Sequence, residues 1–290
     1  MATNTAELLK KVRRIELKTR GLTNQIFSGE YHSAFKGRGM AFSEVREYSV
    51  GDEVRSIDWN VTARFGHPYV KVFEEERELT VILLVDISAS DRFGTQMQTK
   101  KAMIAEICAV LSFSAITNND KIGVIFFTEE VEKFIPPKKG KQHILRIIRE
   151  LLEFQPQNRG TNIAEALRFL NNVVKKRSIA FLITDFLDEK YDDALRLANK
   201  KHDLVALHIY DRREMSIPGV GLVRFTDPES GQSHWINTHA SGLRKAYAKR
   251  SQERFDHASL ACRRAGVDLA QISTDESYIK PLRKLFERRS

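Results

Sequence analysis

Residues 79–90, Leu-Thr-Val-Ile-Leu-Leu-Val-Asp-Ile-Ser-Ala-Ser, hold the pattern that decides the fold. The apolar run 81–85 is short, continuous and rich in β-branched side chains, which is typical of a strand buried on both faces of a parallel sheet. Asp86, Ser88 and Ser90 follow at every second position. If the chain stays extended there, all three side chains point to one side at the carboxyl end of the strand, where open α/β sheets bind their ligands.

Two further oxygen-bearing side chains are predicted to reach the same place. Thr161 lies in a turn before a helical pattern, and Asp185 ends a second buried-strand pattern at 178–185. With the first three residues they form an all-oxygen set, which suits Mg²⁺ or Mn²⁺ and not zinc. Two carboxylates leave a divalent ion with waters and an exchangeable position, for which a partner's acidic group is the natural ligand. In the alternative interpretation, Asp86 and Asp185 only cap helices.

The rest of the chain alternates strand and helix, which predicts an α/β fold with a doubly wound, mostly parallel sheet. Residues 121–128 and 131–135 predict an antiparallel edge hairpin closed by Pro136 and Pro137, and 220–237 a second β-hairpin, inserted in the main domain. We expect an N-terminal extension at 1–78, packed on a main domain at 79–290. Other expected strands are 203–210 and 267–272, and expected helices are 97–117, 141–154, 162–175, 190–201, a basic helix to Arg264 and one from Tyr278.

Composition excludes several classes of protein. The apolar fraction of 42% and the charged fraction of 29% are those of a globular chain. No run approaches the roughly 18 apolar residues of a membrane helix, and no signal-peptide core is seen, so a cytoplasmic location is expected. Cys108 and Cys262 lie in separate helical patterns, which predicts buried reduced thiols.

The net charge of +9 predicts a basic surface that binds acidic partners weakly. Most of the excess lies in residues 211–290, on helical faces. No zinc finger, helix-turn-helix or aromatic-interleaved basic strand accompanies it, so specific nucleic-acid recognition is the weaker alternative.

The N-terminal extension contains three separate patterns. Residues 5–20 predict an amphipathic basic helix that packs on the protein's own body rather than on an anionic membrane. Residues 69–73 predict a strand entering the central one. Between them, charged residues of both signs surround a tryptophan and predict either an ion-pair network or a recognition surface; the recognition candidates are Arg46, Asp52, Arg55, Asp58, Trp59 and Arg64.

The pattern Asp86-x-Ser88-x-Ser90, with Thr161 and Asp185, resembles the metal-ion-dependent adhesion site of the von Willebrand factor A domain. This resemblance implies that the hydroxyl groups bind the metal directly and that the aspartates act through water. It also implies that a partner carboxylate completes the octahedron.

Four motifs precede the metal pattern: Gly37-Arg38-Gly39, Glu44-Val45-Arg46-Glu47-Tyr48, Gly51-Asp52-x-x-Arg55-x-Ile57-Asp58-Trp59 and Ala63-Arg64. With these motifs, the stretch from about Gly29 to the end resembles domain-of-unknown-function family 58. The resemblance implies a von Willebrand A-like domain with an extra N-terminal segment, acting beside a MoxR-type AAA+ ATPase in protein assembly or activation. At Asp91 the chain departs from the family, where an apolar residue is common.

Enzyme motifs are scarce in the sequence. There is no Gly-x-Ser-x-Gly elbow, and Asp86 lacks the second aspartate two residues later that a haloacid-dehalogenase-like phosphatase carries. A two-metal nuclease needs more carboxylates than this set supplies. We therefore expect a non-enzymatic, metal-dependent protein-interaction module, with a Mg²⁺-dependent phosphohydrolase as the alternative.

Overall fold

The structure is a computed structural model, and it describes residues 12–17, 19, 40–75, 78–88, 99–226 and 233–289. Ser90 and the glycines of Gly37-Arg38-Gly39 lie outside the described residues. Within that part, the strands are β1 (Met40–Glu47), β2 (Tyr69–Glu75), β3 (Thr80–Asp86), β4 (Lys121–Phe127), β5 (Val131–Lys138), β6 (Ile179–Thr184), β7 (Asp203–Tyr210), β8 (Leu222–Thr226), β9 (Ser233–Asn237) and β10 (Asp268–Ser273). The helices are α1 (Trp59–Phe65), α2 (Lys100–Thr117), α3 (Lys141–Glu153), α4 (Ile163–Val173), α5 (Asp192–Lys201), α6 (Arg212–Met215), α7 (Ser241–Ala265) and α8 (Ile279–Glu287).

The central sheet has the strand order β10-β7-β6-β3-β4-β5 in the described part of the chain. All neighbouring pairs are parallel except β4 and β5, which run antiparallel at one edge. The predicted fold class, a doubly wound, mostly parallel sheet with an antiparallel edge strand, is therefore confirmed. Pro136 and Pro137 lie inside β5 rather than after it, because an edge strand tolerates residues that cannot donate to the ladder.

Strand β3 lies between β4 and β6, and its side chains contribute to two hydrophobic cores, one on each face of the sheet. Val81, Leu83 and Val85 pack into the core under α2, α3 and α8. Ile82 and Leu84 pack into the core under α4, α5 and α7. The two-residue period of a strand separates these sets, and helices on both faces explain why the whole run is apolar.

Helix α2 is buried along most of its length, which accounts for its apolar residues on all sides. Its Cys108 is a buried free thiol, as is Cys262 of α7, so the prediction of buried reduced thiols is confirmed. Among the described residues, no helix is both long and apolar enough to cross a membrane.

The predicted strand at 69–73 is present as β2, but it does not join the central strand β3. β2 pairs antiparallel with β1 in a separate two-stranded sheet, with Val70 opposite Arg46. Both edges of β3 are already occupied by β4 and β6, so the hydrogen-bonding groups of β3 are not available to β2. The other predicted hairpin is present as β8 and β9, also outside the central sheet.

In the N-terminal region, residues 12–17 are helical. Val12 belongs to the core that includes α2 and α3, and Ile15 packs against it. Glu16 forms an ion pair of 2.5 Å with Lys141 at the start of α3. This segment contacts the protein's own body through apolar and charged side chains.

Candidate metal centre

The candidate site lies where β3 and β6 end, beside the loop that leads into α4. The parallel register places Val85 opposite Ile183, so Asp86 at the end of β3 comes next to Thr184 at the end of β6. Parallel strands end at the same edge of a sheet, and this edge is where open α/β folds bind ligands.

Asp86 is the centre of the hydrogen-bond network and is only 1% exposed. Its Oδ2 accepts hydrogen bonds from Thr184 Oγ1 at 2.7 Å and from Thr161 Oγ1 at 3.4 Å. Its Oδ1 accepts one from the backbone N–H of Ser88 at 3.0 Å. The chain bends at Ser88 instead of staying extended, and this turn, not the two-residue strand period, brings Ser88 to Asp86.

Thr161 is held in place by the backbone on either side of it. The N–H of Gly160 donates to Glu129 Oε1 at 3.0 Å, and the N–H of Asn162 donates to the carbonyl of Thr128 at 2.8 Å. The Asn162 side chain then caps α4 by accepting from the N–H of Glu165 at 2.9 Å. The end of β4 and the start of α4 therefore fix the position of Thr161.

Asp185 follows β6 with its side chain 5% exposed. Its Oδ2 accepts from Lys100 Nζ at 2.9 Å, and its Oδ1 accepts from the N–H of Leu187 at 3.3 Å. The next residue, Phe186, has a φ of +56°, a left-handed conformation that is uncommon for a bulky side chain. Strained backbone of this kind is concentrated at functional sites.

Neither carboxylate is a helix cap in the described part of the chain. The N-cap of α2 is Thr99, and the N-cap position of α5 is Tyr191. Asp86 and Asp185 therefore do not cap α2 or α5, and their oxygens accept from Thr184 and from Lys100 instead.

The electrostatics of the site favour a cation. Burial, followed by repulsion from Asp185, raises the pKa of Asp86 to about 7, although hydrogen bonds from Thr184 and Ser88 oppose the shift. Two buried carboxylates that repel each other are stabilised by positive charge, and such perturbed groups concentrate at functional sites.

The donor set fits a hard cation such as Mg²⁺ or Mn²⁺. Carboxylate and hydroxyl oxygens come together at Asp86, Ser88, Thr161 and Asp185. Among the described residues, no group of three or more His, Cys, Asp or Glu side chains could hold a metal ion.

Comparison with known proteins identifies the family. Residues 44–256 match the family model described as "Protein of unknown function DUF58". This chain belongs to the DUF58 family. The uncharacterized protein Rv1480 of Mycobacterium tuberculosis is 28% identical to this DUF58 protein over 277 residues, which cover 94% of this chain and 87% of the relative.

Two solved structures resemble this DUF58 protein. The conserved hypothetical protein BatB from Bacteroides thetaiotaomicron has 17% identity and a TM-score of 0.48, with 73% of this chain and 98% of that chain covered. The SpRpn10 VWA domain has 13% identity and a TM-score of 0.37, with coverage of 73% and 94%.

The site of this DUF58 protein includes residues that the sequence analysis did not select. Thr184 donates to Asp86, and Lys100 contacts both Asp185 and Glu214. Thr184 stood next to Asp185 in the predicted strand, where its hydroxyl could have been noticed. Lys100 and Glu214 gave no signal, because each is one of many charged residues in the sequence and neither belongs to a recognisable motif.

The six recognition candidates lie elsewhere, in the segment formed by β1, α1 and β2. Arg46 pairs with Asp52 through two contacts of 2.7 Å, and the hydrogen bond from Arg46 is the main reason that the pKa of Asp52 is lowered. Asp58 caps α1 and pairs with Lys71 at 3.3 Å. Trp59 is 66% exposed, so these ion pairs do not enclose it. The remaining candidates, Arg55 and Arg64, are exposed.

Proposed function

We propose that this DUF58 protein is a non-enzymatic module that binds protein partners through a divalent metal. The observation that carries the proposal is the gathering of two buried carboxylates and two hydroxyl-bearing residues at the carboxyl end of β3. The two carboxylates would balance the charge of a divalent cation without leaving the loaded site negative, so an incoming acidic group could still bind.

The residues have different tasks in this proposal. Ser88, Ser90 and Thr161 would hold Mg²⁺ or Mn²⁺ directly, while Asp86 and Asp185 would orient the bound waters and neutralise charge. When bound, the metal supplies a coordination position for an Asp or Glu side chain of the partner. Thr184 keeps the Asp86 carboxylate fixed through its hydrogen bond of 2.7 Å.

For the partner we propose an acidic protein surface, specifically that of a MoxR-type AAA+ ATPase. The family resemblance supports this choice, and the net charge of +9 favours association with an acidic surface.

The rival phosphohydrolase reaction has less support. A nucleophilic Asp86 would have to reach substrate, yet it is 1% exposed and both of its oxygens accept hydrogen bonds. His208 is enclosed by Phe186, Tyr210 and Phe255, and burial lowers its pKa to about 4. These positions do not suit a group that exchanges protons with a substrate.

A pull-down from native lysate tests the proposal with Ser88→Ala and a matched control, Ser112→Ala. Both serines are buried, but Ser112 bonds to the Cys108 carbonyl within α2. We expect an ATPase to be retained by wild type and Ser112→Ala in Mg²⁺, and lost with Ser88→Ala or with EDTA. Retention of the same partner by every variant in EDTA would show that the metal site is not the docking surface.

A further inference from the structure

Lys100 is a buried cation next to the candidate metal site. It is the first residue of α2 and is fully buried. Its ammonium lies 2.9 Å from Asp185 Oδ2 and 2.6 Å from Glu214 Oε1. A lysine in such a place is rare, because an ammonium group leaves water at high cost unless it is paired.

The pairing keeps Lys100 charged. Its contacts of 2.9 Å with Asp185 and 2.6 Å with Glu214 place two carboxylate oxygens against the ammonium, which stabilises the charged form against the cost of burial. The position at a helix N-terminus also disfavours a cation, so the two carboxylates must account for its presence.

Glu214 is itself held in a fixed position. In α6, the N–H of Asp211 donates to Glu214 Oε2 at 3.2 Å as part of a capping box. Ser251 of α7 donates to the Glu214 carbonyl at 2.9 Å. The ammonium group therefore lies between Asp185, which follows β6, and Glu214 of α6. Asp185 is a proposed metal-site residue, and one of its two carboxylate oxygens, Oδ2, already accepts a hydrogen bond from Lys100.

The charges of this cluster balance those of a divalent ion. When ionised, Asp86, Asp185 and Glu214 carry three negative charges, and Lys100 carries one positive charge. A bound divalent cation would bring the cluster to neutrality. Without Lys100 the loaded site would remain negative and would repel an acidic ligand.

We propose that Lys100 is a positioning residue that fixes the orientation of Asp185 and sets the net charge of the site, so that an acidic partner can bind. By holding Asp185 Oδ2, it keeps Asp185 from binding the metal directly through that oxygen. Its charge weakens metal binding but leaves the loaded site neutral, so that a carboxylate can enter. This inference rests on the proposed metal-dependent function.

Two substitutions are expected to move metal affinity in opposite directions. Lys100→Met should tighten Mn²⁺ binding and weaken carboxylate binding, each by at least about tenfold, because a unit charge is removed near the ion. Glu214→Gln keeps an acceptor for the Asp211 N–H but removes a negative charge. It should weaken Mn²⁺ binding by about tenfold and strengthen carboxylate binding.

Lys101→Met is the matched control. Lys101 is the next residue of the same helix, and its ammonium donates to the Phe154 carbonyl at 3.2 Å. We expect both affinities of this variant to stay within about twofold of wild type, because this bond holds the ammonium at a backbone carbonyl at the end of α3.

The experiment uses the full chain with Mn²⁺ and acetate as probes. Electron paramagnetic resonance measures Mn²⁺ binding, and water-proton relaxation measures the displacement of bound water by potassium acetate against potassium chloride at the same ionic strength. If wild type binds no Mn²⁺, that result contradicts both the proposed function and this inference. If wild type binds both probes but Lys100→Met weakens both or changes neither, Lys100 is merely structural and the inference alone is overturned. If Lys100→Met does not fold, Glu214→Gln decides, and unchanged or tighter Mn²⁺ binding in that variant would overturn the inference.

Discussion

At the scale of single residues, Asp86 shows a conflict between stability and binding. Its carboxylate is buried beside Asp185, which raises its pKa to about 7 through burial and then repulsion. The unfolded chain carries the same group at an ordinary pKa, so its ionisation favours unfolding as the pH rises from about 4 to about 7. We expect a bound cation to offset this cost.

We therefore predict that Asp86→Asn stabilises the metal-free protein at about pH 8, by roughly 1–3 kcal/mol, while abolishing metal binding. The gain should shrink as the pH falls through the interval between 7 and 4, because wild-type Asp86 then becomes neutral in the folded state. Urea unfolding in EDTA at several pH values, with calorimetric Mg²⁺ titration, measures both effects.

Asp120→Asn is the control for this prediction. Burial raises the pKa of Asp120 to about 6, but Asp120 lies outside the site and accepts from the Leu79 N–H at 2.9 Å. This variant should keep its metal affinity. Loss of stability at pH 8 in Asp86→Asn, with metal binding retained, would contradict the role of Asp86.

At the scale of elements, the start of α4 positions one proposed ligand. Asn162 caps the helix directly after Thr161, and the N–H of Ile163 donates to Asp188 Oδ2 at 2.9 Å. Asp188 follows β6 closely, so the helix start and the segment after Asp185 are tied together. The geometry of the site therefore depends on a helix cap as well as on its ligands.

Asn162→Ala should lower the free energy of unfolding by about 1 kcal/mol, the usual value of a lost N-cap, and weaken Mn²⁺ binding as Thr161 shifts. Asn162→Ser keeps an oxygen that can accept from the Glu165 N–H and should restore most of both properties. Equal unfolding midpoints and equal affinities for the two variants would show that the cap does not position Thr161.

At the scale of the whole molecule, metal binding should be linked to folding. A ligand that binds only the folded chain stabilises it, by about 2.7 kcal/mol at a hundred times its dissociation constant. We predict that MgCl₂ raises the melting temperature at about pH 8 and does so much less at about pH 5.5, where protonated Asp86 competes with the metal.

Potassium chloride at matched ionic strength is the control for this melting experiment, and differential scanning calorimetry is the measurement. If the melting temperature rises equally with MgCl₂ and with potassium chloride, or equally at about pH 8 and about pH 5.5, the rise reflects general screening of the basic surface and not metal binding at the site.

Much of the fold follows from local sequence patterns, which is why it could be predicted. The run 81–85 is apolar at every position because β3 is covered on both faces, and the same holds for β6. The same periodicity also placed Asp86 and Asp185 at strand ends, and the turn before α4 placed Thr161. These inferences need only the repeat of side-chain direction along a strand or helix.

Other features depend on how the chain folds in three dimensions and could not be predicted from local sequence patterns. Lys100 and Lys101 are adjacent and chemically identical, yet Lys100 is enclosed by residues that lie 85 and 114 positions further along the sequence. The pairing of β2 with β1 depended on which edges of β3 were already taken. The sequence by itself determined the alternating elements and the oxygen-bearing motif, because both are local. Only the tertiary structure decided which charges meet, because electrostatic pairing depends on distance in space and not on separation along the chain.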